Sequence, residues 1–103
     1  MLKILYSQQV KEQLNSIKEY IAKDNKKIAT QYLLKIKEKI ELIGTYPYIG
    51  KINSTMNLDY IRDFIVYGYK VIYKINERSI LILAIYKYID FDENELDENS
   101  KNH

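Results

Sequence analysis

The chain has 103 residues and a mass of 12.3 kDa, which allows one domain with a single modest core. It has no cysteine, and its only histidine is His103, which excludes disulfides, thiolate metal sites, His-dependent nucleophilic catalysis and the usual zinc clusters. Residues 1–89 carry 15 basic against 8 acidic residues, a net charge of +7, whereas residues 90–103 carry 6 acidic residues against Lys101, a net charge of −5.

This change of charge divides the chain in two. We expect residues 1–89 to form the single domain and residues 90–103 to form a solvated, flexible acidic tail. The tail could instead fold back over a basic groove and screen it. No apolar run approaches the ~18 residues that a membrane span needs, and the first residues lack a signal-peptide pattern. We therefore expect a cytoplasmic protein that binds no membrane and carries neither metal nor cofactor.

The first half of the chain predicts a short strand and two helices. Residues 3–6 are a short apolar run, and Ser7 after them is a suitable N-cap for a helix with the buried stripe Val10, Leu14, Ile17 and Ile21. Asp24 or Asn25 begins a second helix, with its stripe at Ile28, Ala29, Tyr32, Leu33, Ile36, Ile40 and Ile43. We expect Gly44 to end this helix as the residue after the C-cap.

The second half predicts strands. Residues 58–66, 69–75 and 79–86 are rich in isoleucine, valine and tyrosine, and short polar or glycine-containing gaps separate them. The last run is almost entirely apolar, which places it inside the sheet. The predicted fold is α+β in the order β-α-α-β-β-β, with an N-terminal helical hairpin packed on one face of an antiparallel sheet. The other face should stay partly open, and function should be sought there.

The residues that the composition suggests as functional candidates are aromatic and basic. Of 11 tyrosines, 8 lie between Tyr46 and Tyr88, which fits either packing or a binding face. Arg62 falls in a predicted strand, where it either pairs with a carboxylate such as Asp63 or Asp59 or faces the open side and serves a site. Asp63 is adjacent in sequence and should point the other way, which weakens that particular pairing. Lys87 stands at the end of the last predicted strand, between two tyrosines. No paired-carboxylate site, phosphate loop or metal cluster appears in the sequence.

Several short motifs occur in a characteristic order along residues 3–88. Pro47-Tyr48-Ile49-Gly50 looks like a Pro-x-x-Gly turn, Arg62 follows it, and residues 69–73 (YKVIY) are similar to a Tyr-Arg-Val-x-Tyr strand. The helical residues Leu14, Ile17, Tyr20, Ile21, Ala22, Ala29, Ile36, Ile40 and Leu42 and the closing strand 82–86 complete the set. In this order they resemble the RelE/ParE superfamily of type II toxins, and the ParE branch most closely.

This resemblance implies a toxin that arrests growth and is held inactive by an antitoxin encoded beside it, in a toxin-antitoxin hetero-oligomer. ParE-type relatives poison DNA gyrase, whereas RelE-type relatives cleave mRNA in the ribosome with Lys, Arg, Tyr or His side chains. The residues that we expect to bind the target or partner are Arg62, Tyr69, Lys70, Tyr73, Tyr86, Lys87 and Tyr88. If the chain is an endonuclease, Arg62, Tyr86 and Lys87 are the catalytic candidates.

Departures from the family pattern favour gyrase as the target. Lys87 stands where many members have a histidine, no arginine follows it, and Lys70 replaces the arginine of the tyrosine-rich strand. A lysine with an ordinary pKa of ~10.4 is a poor general base at neutral pH. The alternatives are a RelE-like endonuclease and a module that retains the fold only for binding.

Overall fold

A computed structural model describes residues 1–88, so the acidic tail expected at 90–103 lies outside the described residues. The predicted order of elements is confirmed, with one addition, the two-residue strand β2. The elements are β1 (Lys3–Tyr6), α1 (Gln8–Ala22), α2 (Lys26–Thr45), β2 (Lys51–Ile52), β3 (Ile61–Val66), β4 (Tyr69–Ile75) and β5 (Ser79–Lys87). The fold is therefore α+β, as predicted.

Both helices begin at the residues that the sequence indicated. The hydroxyl oxygen of Ser7 accepts a hydrogen bond from the Val10 N–H at 3.1 Å, and the side-chain oxygen of Asn25 accepts one from the Ile28 N–H at 3.1 Å. Each N-cap satisfies a backbone donor that the first turn of a helix leaves unpaired. The two buried stripes predicted from the spacing both face the sheet and form most of the core.

The prediction for Gly44 is wrong in detail. Helix α2 continues to Thr45, and Gly44 lies inside its last turn, where its carbonyl accepts a hydrogen bond from the Leu2 N–H at 2.8 Å. A Cβ atom at this position would come within 2.5 Å of the Leu2 carbonyl oxygen. Glycine is therefore used here because the backbone before β1 passes directly against the helix, and not because the helix needs a left-handed end.

The sheet has five strands in the order β1-β5-β4-β3-β2. Strands β2 to β5 are antiparallel, as predicted, but β1 pairs with β5 in parallel, so the sheet as a whole is mixed. A parallel pair requires a long connection, and here the whole segment from α1 to β4 provides it. Strand β5 has a neighbour on each side, which explains its apolar sequence.

The register of the strands assigns the side chains to two faces. The helix face carries the buried residues Val66, Tyr69, Val71, Tyr73, Ile80, Ile82 and Ile85. We call the opposite side the open face; it carries Lys3, Leu5, Lys51, Ile61, Asp63, Ile65, Lys70, Ile72, Lys74, Leu81, Leu83, Ala84 and Tyr86. A register shift between Ile72 and Tyr73 leaves one extra residue in β5 and keeps both faces continuous.

One end of the open face is covered by the connection between β2 and β3. Residues 58–60, which the sequence assigned to a strand, belong to this connection, and β3 begins only at Ile61. As a result Ile61 and Asp63, although on the open face, are each only 5% exposed. The expectation of a partly open face is therefore correct for β4, β5, β1 and the end of β3, while the start of β3 is covered by residues that the sequence pattern assigned otherwise.

Candidate functional site

The guanidinium of Arg62 is held by acceptors of the protein itself. Its Nε and Nη2 donate to the carbonyl and carboxylate oxygens of Asp59 at 2.9 and 2.8 Å, and Nη1 donates to the carbonyl oxygen of Gly50 at 2.8 Å. The guanidinium carbon lies 4.7 Å from the centroid of the Tyr48 ring, and the side chain is only 13% exposed. Arg62 thus joins the loop before β3 to the Pro47–Gly50 turn, using the fork geometry that lysine lacks.

Tyr73 of β4 forms hydrogen bonds with the same turn. Its hydroxyl donates to the Pro47 carbonyl oxygen at 2.6 Å and accepts a hydrogen bond from the Gly50 N–H at 3.0 Å. A Cβ on Gly50 would lie 2.4 Å from the Asp63 carbonyl oxygen and 2.9 Å from the Tyr73 hydroxyl. The Pro-x-x-Gly turn, Arg62 and Tyr73 therefore form one structural unit, in which each part satisfies polar groups of the others.

The environment of Tyr73 favours its neutral form. Burial raises the pKa of its hydroxyl above the usual 10.0. The hydrogen bond from Gly50 and the charge of Arg62 oppose this rise, while the charge of Asp63 adds to it. The hydroxyl therefore remains protonated at neutral pH, which is the form that can donate to Pro47.

Tyr69 also lies on the helix face. It is 8% exposed and packs edge-on against Tyr32 of α2, with 6.1 Å between ring centroids, and the Tyr32 hydroxyl donates to the Tyr67 carbonyl oxygen at 2.6 Å. Of the two interpretations of the many tyrosines, packing applies to Tyr69 and Tyr73. Those that remain exposed include Tyr86 and Tyr88, at 43% and 50%.

On the open face, Lys70 is at the centre of a polar cluster. Its ammonium nitrogen lies 3.8 Å from the Asp63 carboxylate and 4.2 Å from the centroid of the Tyr88 ring. The other carboxylate oxygen of Asp63 accepts from the Asn53 side chain at 2.7 Å, and the Asn53 side-chain oxygen in turn accepts from the Met56 N–H at 2.8 Å. This network supplies the hydrogen bonds and the opposite charge that compensate the burial of a carboxylate.

Sequence reasoning missed the pairing of Asn53 with Asp63. The available signal was the polar run Asn53-Ser54-Thr55, which is typical of a turn but does not show which strand the turn covers. The Arg62–Asp63 pairing that neighbouring residues suggest does not form, because adjacent strand residues point to opposite faces.

The uncovered part of the open face is apolar and bordered by lysines. A cavity of about 370 Å³ lies among residues that include Met56, Ile72, Leu83 and Tyr86. Ile65 is 40% exposed and Leu5 is 39% exposed on the same face. An apolar strip between basic side chains is suited to an amphipathic segment that carries acidic residues.

A second groove, of about 630 Å³, lies between α1 and the end of β5. Strand β1 ends opposite Ile82, and beyond that point the side-chain oxygen of Gln13 accepts a hydrogen bond from the Ile85 N–H at 2.9 Å. Lys87 and its neighbour Tyr86 both line this groove, and Tyr86 also pairs with Lys70 across the strands. The groove thus borders an edge of the sheet that β1 leaves unpaired.

The structure does not bring the three candidate catalytic residues together. Arg62 lies level with Ile82 of β5 through its pairing with Tyr73, four residues from Tyr86. One of these four is the extra residue of β5, so Tyr86 pairs with Lys70, three residues from Tyr73; the separation is about 10 Å along the strand and about 10 Å across two strands. Tyr86 and Lys87, in contrast, both line the groove between α1 and the end of β5. Arg62, which donates to Asp59 and Gly50, does not line that groove.

Two features are absent from the part of the chain that the structure describes. Within residues 1–88, no group of three or more His, Cys, Asp or Glu side chains has a geometry that could hold a metal ion. Neither described helix is long and apolar enough to span a bilayer.

Comparison with known proteins points to one family. The family model described as "ParE toxin of type II toxin-antitoxin system, parDE" matches residues 4–87. A solved structure described as "Chromosomal ParDE TA system from P. aeruginosa" is similar with a TM-score of 0.72, at 14% sequence identity, over 85% of this chain and 97% of that one. The comparison with curated proteins gave no match. The structural likeness shows the shared fold, and the family match spans the helices and strands except for the first residue of β1.

Proposed function

Because the chain belongs to the ParE toxin family of type II toxin-antitoxin systems, we propose that it acts on DNA gyrase in the cytoplasm and is neutralised by a cognate antitoxin. The toxin class comes from the family match; gyrase is the target that the ParE resemblance implies. The proposal treats the chain as a protein that binds its target and has no cleavage chemistry of its own.

The observation that carries this proposal is the separation of Arg62 from Tyr86 and Lys87. RNA cleavage requires a base near the 2′-hydroxyl and cations on the same phosphate. Arg62 instead donates to Asp59 and Gly50, and about 14 Å of sheet separates its backbone from that of Tyr86. This arrangement supports a gyrase-directed activity over a RelE-like one.

The experiment is a gyrase cleavage assay with the purified, antitoxin-free chain, ATP and supercoiled plasmid. We expect linear DNA after protein digestion, because a poison of the cleaved complex traps double-strand breaks. The product should be absent when either the toxin or gyrase is omitted, and it should disappear when the antitoxin is added first.

Two other results would contradict the proposal. Cleaved mRNA in arrested cells, with no linear plasmid in the assay, would identify an endonuclease despite the separated candidates. Normal growth under strong induction of the folded chain, again without linear plasmid, would identify a binding module without toxicity.

For the antitoxin, we propose the open face as the contact surface. Its uncovered part presents apolar side chains, including Leu5 and Ile65, next to Lys70 and Lys74. The complementary partner is an amphipathic segment whose apolar side chains cover the strip and whose carboxylates face the lysines. Such a segment would give the toxin-antitoxin hetero-oligomer expected of the family.

Replacing Ile65 with aspartate should weaken antitoxin binding by about 10- to 100-fold, because it removes an apolar contact and repels an acidic partner. Isothermal titration calorimetry with the co-encoded antitoxin measures the change. Leu34→Asp is the matched control, since Leu34 is 59% exposed on α2, away from the open face. Circular dichroism confirms that both variants are folded. Equal losses of antitoxin affinity in the two variants would show that the open face is not the contact surface.

A further inference from the structure

The charges on the open face are strongly unbalanced. Strand register places four lysines there, Lys3, Lys51, Lys70 and Lys74, against the single carboxylate of Asp63. That carboxylate is 5% exposed and already bound by Asn53 and Lys70. The exposed part of this face is therefore basic and apolar, and none of its strands contributes an exposed acid.

The last described residue lies at the border of this face. The Tyr88 N–H donates to the Gly68 carbonyl oxygen at 2.9 Å, and the ammonium of Lys70 lies over the Tyr88 ring. These two contacts fix the point from which the chain continues. Tyr88 therefore lies beside Lys70, at one end of the apolar strip.

The residues that follow have the complementary chemistry. Residues 89–98 read IDFDENELDE, in which Ile89, Phe91 and Leu96 are apolar and six residues are acidic. After a two-residue reversal, the remaining extended residues span roughly 26 Å, enough to run back past Leu81, which lies roughly 20 Å from the end of β5. Charge, apolar content and length thus all match the face beside which the segment begins.

We propose that residues 89–98 bind the open face of their own chain. The apolar side chains of the segment contact Ile72, Leu81 and Leu83, and its carboxylates face the lysines around them. The segment thereby covers the surface that we assign to the antitoxin, and it competes with the antitoxin from within the toxin. The intramolecular contact does not depend on gyrase action; only its role as a competitor rests on the proposed function.

A single tryptophan tests the contact in the full chain. The protein contains no tryptophan, so Phe91→Trp supplies one fluorescent reporter within the segment. We expect its emission in the native protein to lie at shorter wavelength than in denaturant, and acrylamide to quench it less. High salt should move the emission toward the denatured value, because it screens the lysine–carboxylate attraction.

Matched charge reversals identify the face. In the Phe91→Trp chain, Lys51→Glu with Lys74→Glu should shift the emission toward the denatured value. Lys35→Glu with Lys39→Glu, on the exposed side of α2, changes the net charge equally and should leave the emission unchanged. Circular dichroism confirms that both variants are folded. The competitor role predicts that the open-face pair also changes antitoxin affinity, which calorimetry measures separately.

Three outcomes would overturn the proposal. Native emission and quenching equal to those in denaturant would mean that the segment does not contact the protein. Equal responses to the two pairs of charge reversals would place the contact elsewhere. Emission that shifts on dilution would assign the contact to a second copy of the chain. None of these results depends on whether the protein acts on gyrase.

Discussion

Replacing Gly50 with alanine should lower the free energy of unfolding by about 3 kcal/mol. The added Cβ would lie 2.4 Å from the carbonyl oxygen of Asp63 and 2.9 Å from the hydroxyl of Tyr73. The first of these atoms belongs to the backbone of β3 and cannot turn aside as a flexible side chain can. The variant must therefore move the turn away from β3, which also strains the hydrogen bonds of Gly50 with Arg62 and Tyr73.

Urea denaturation of the two proteins at neutral pH measures this change. Ile49→Ala is the matched control, because Ile49 is the adjacent residue, is 42% exposed and lies in the same turn. The Ile49→Ala variant should lose less than about 1 kcal/mol of stability, as expected for a partly exposed side chain. If Gly50→Ala were no more destabilising than Ile49→Ala, the turn would not lie as close to β3 as the structure shows.

Replacing Tyr73 with phenylalanine should cost about 2–3 kcal/mol of stability. The change leaves the ring in place but removes both hydrogen bonds of the hydroxyl, so the Gly50 N–H and the Pro47 carbonyl lose their partner. Tyr46→Phe is the control for removing a tyrosine hydroxyl, since Tyr46 is 60% exposed. Similar stabilities for the two variants would show that the Tyr73 hydroxyl does not hold the turn.

The same variant should alter the response of the protein to alkaline pH. Burial raises the pKa of Tyr73 above 10.0 in the folded protein, so the unfolded chain loses its proton first. The stability that this group contributes is complete below pH 10.0 and decreases as the pH rises toward its folded-state pKa. Burial and the neighbouring Glu41 raise the pKa of Tyr6 to about 12, so part of the decrease should remain in Tyr73→Phe.

The motifs that resemble the family form a structural unit of the chain. The Pro47–Gly50 turn, Arg62 and Tyr73 carry much of the resemblance, and in the structure they bind one another. A substitution of Arg62 that abolishes toxicity would therefore be expected to act through the turn. To separate this from a lost target contact, the stability of the variant has to be measured together with its activity.

Much of the fold follows from local sequence patterns. The apolar stripes, the N-caps Ser7 and Asn25, and the three strand-forming runs each depend on residues close together in the chain. Helix periodicity, capping and strand alternation are short-range properties, so one sequence is sufficient to read them. The charge difference between the basic domain and the acidic segment is also determined by the sequence alone.

Contacts between distant residues were decided only by the tertiary structure. The parallel pairing of β1 with β5, the burial of Asp63 by Asn53, and the use of Gly44 and Gly50 for close backbone approach join segments far apart in sequence. The separation of Arg62 from Tyr86 and Lys87 likewise depends on strand order and register. A residue's type determines which interactions it can make, and this can be read from a sequence pattern. The packing of the whole chain determines which partner the residue meets, and this cannot be read from such a pattern.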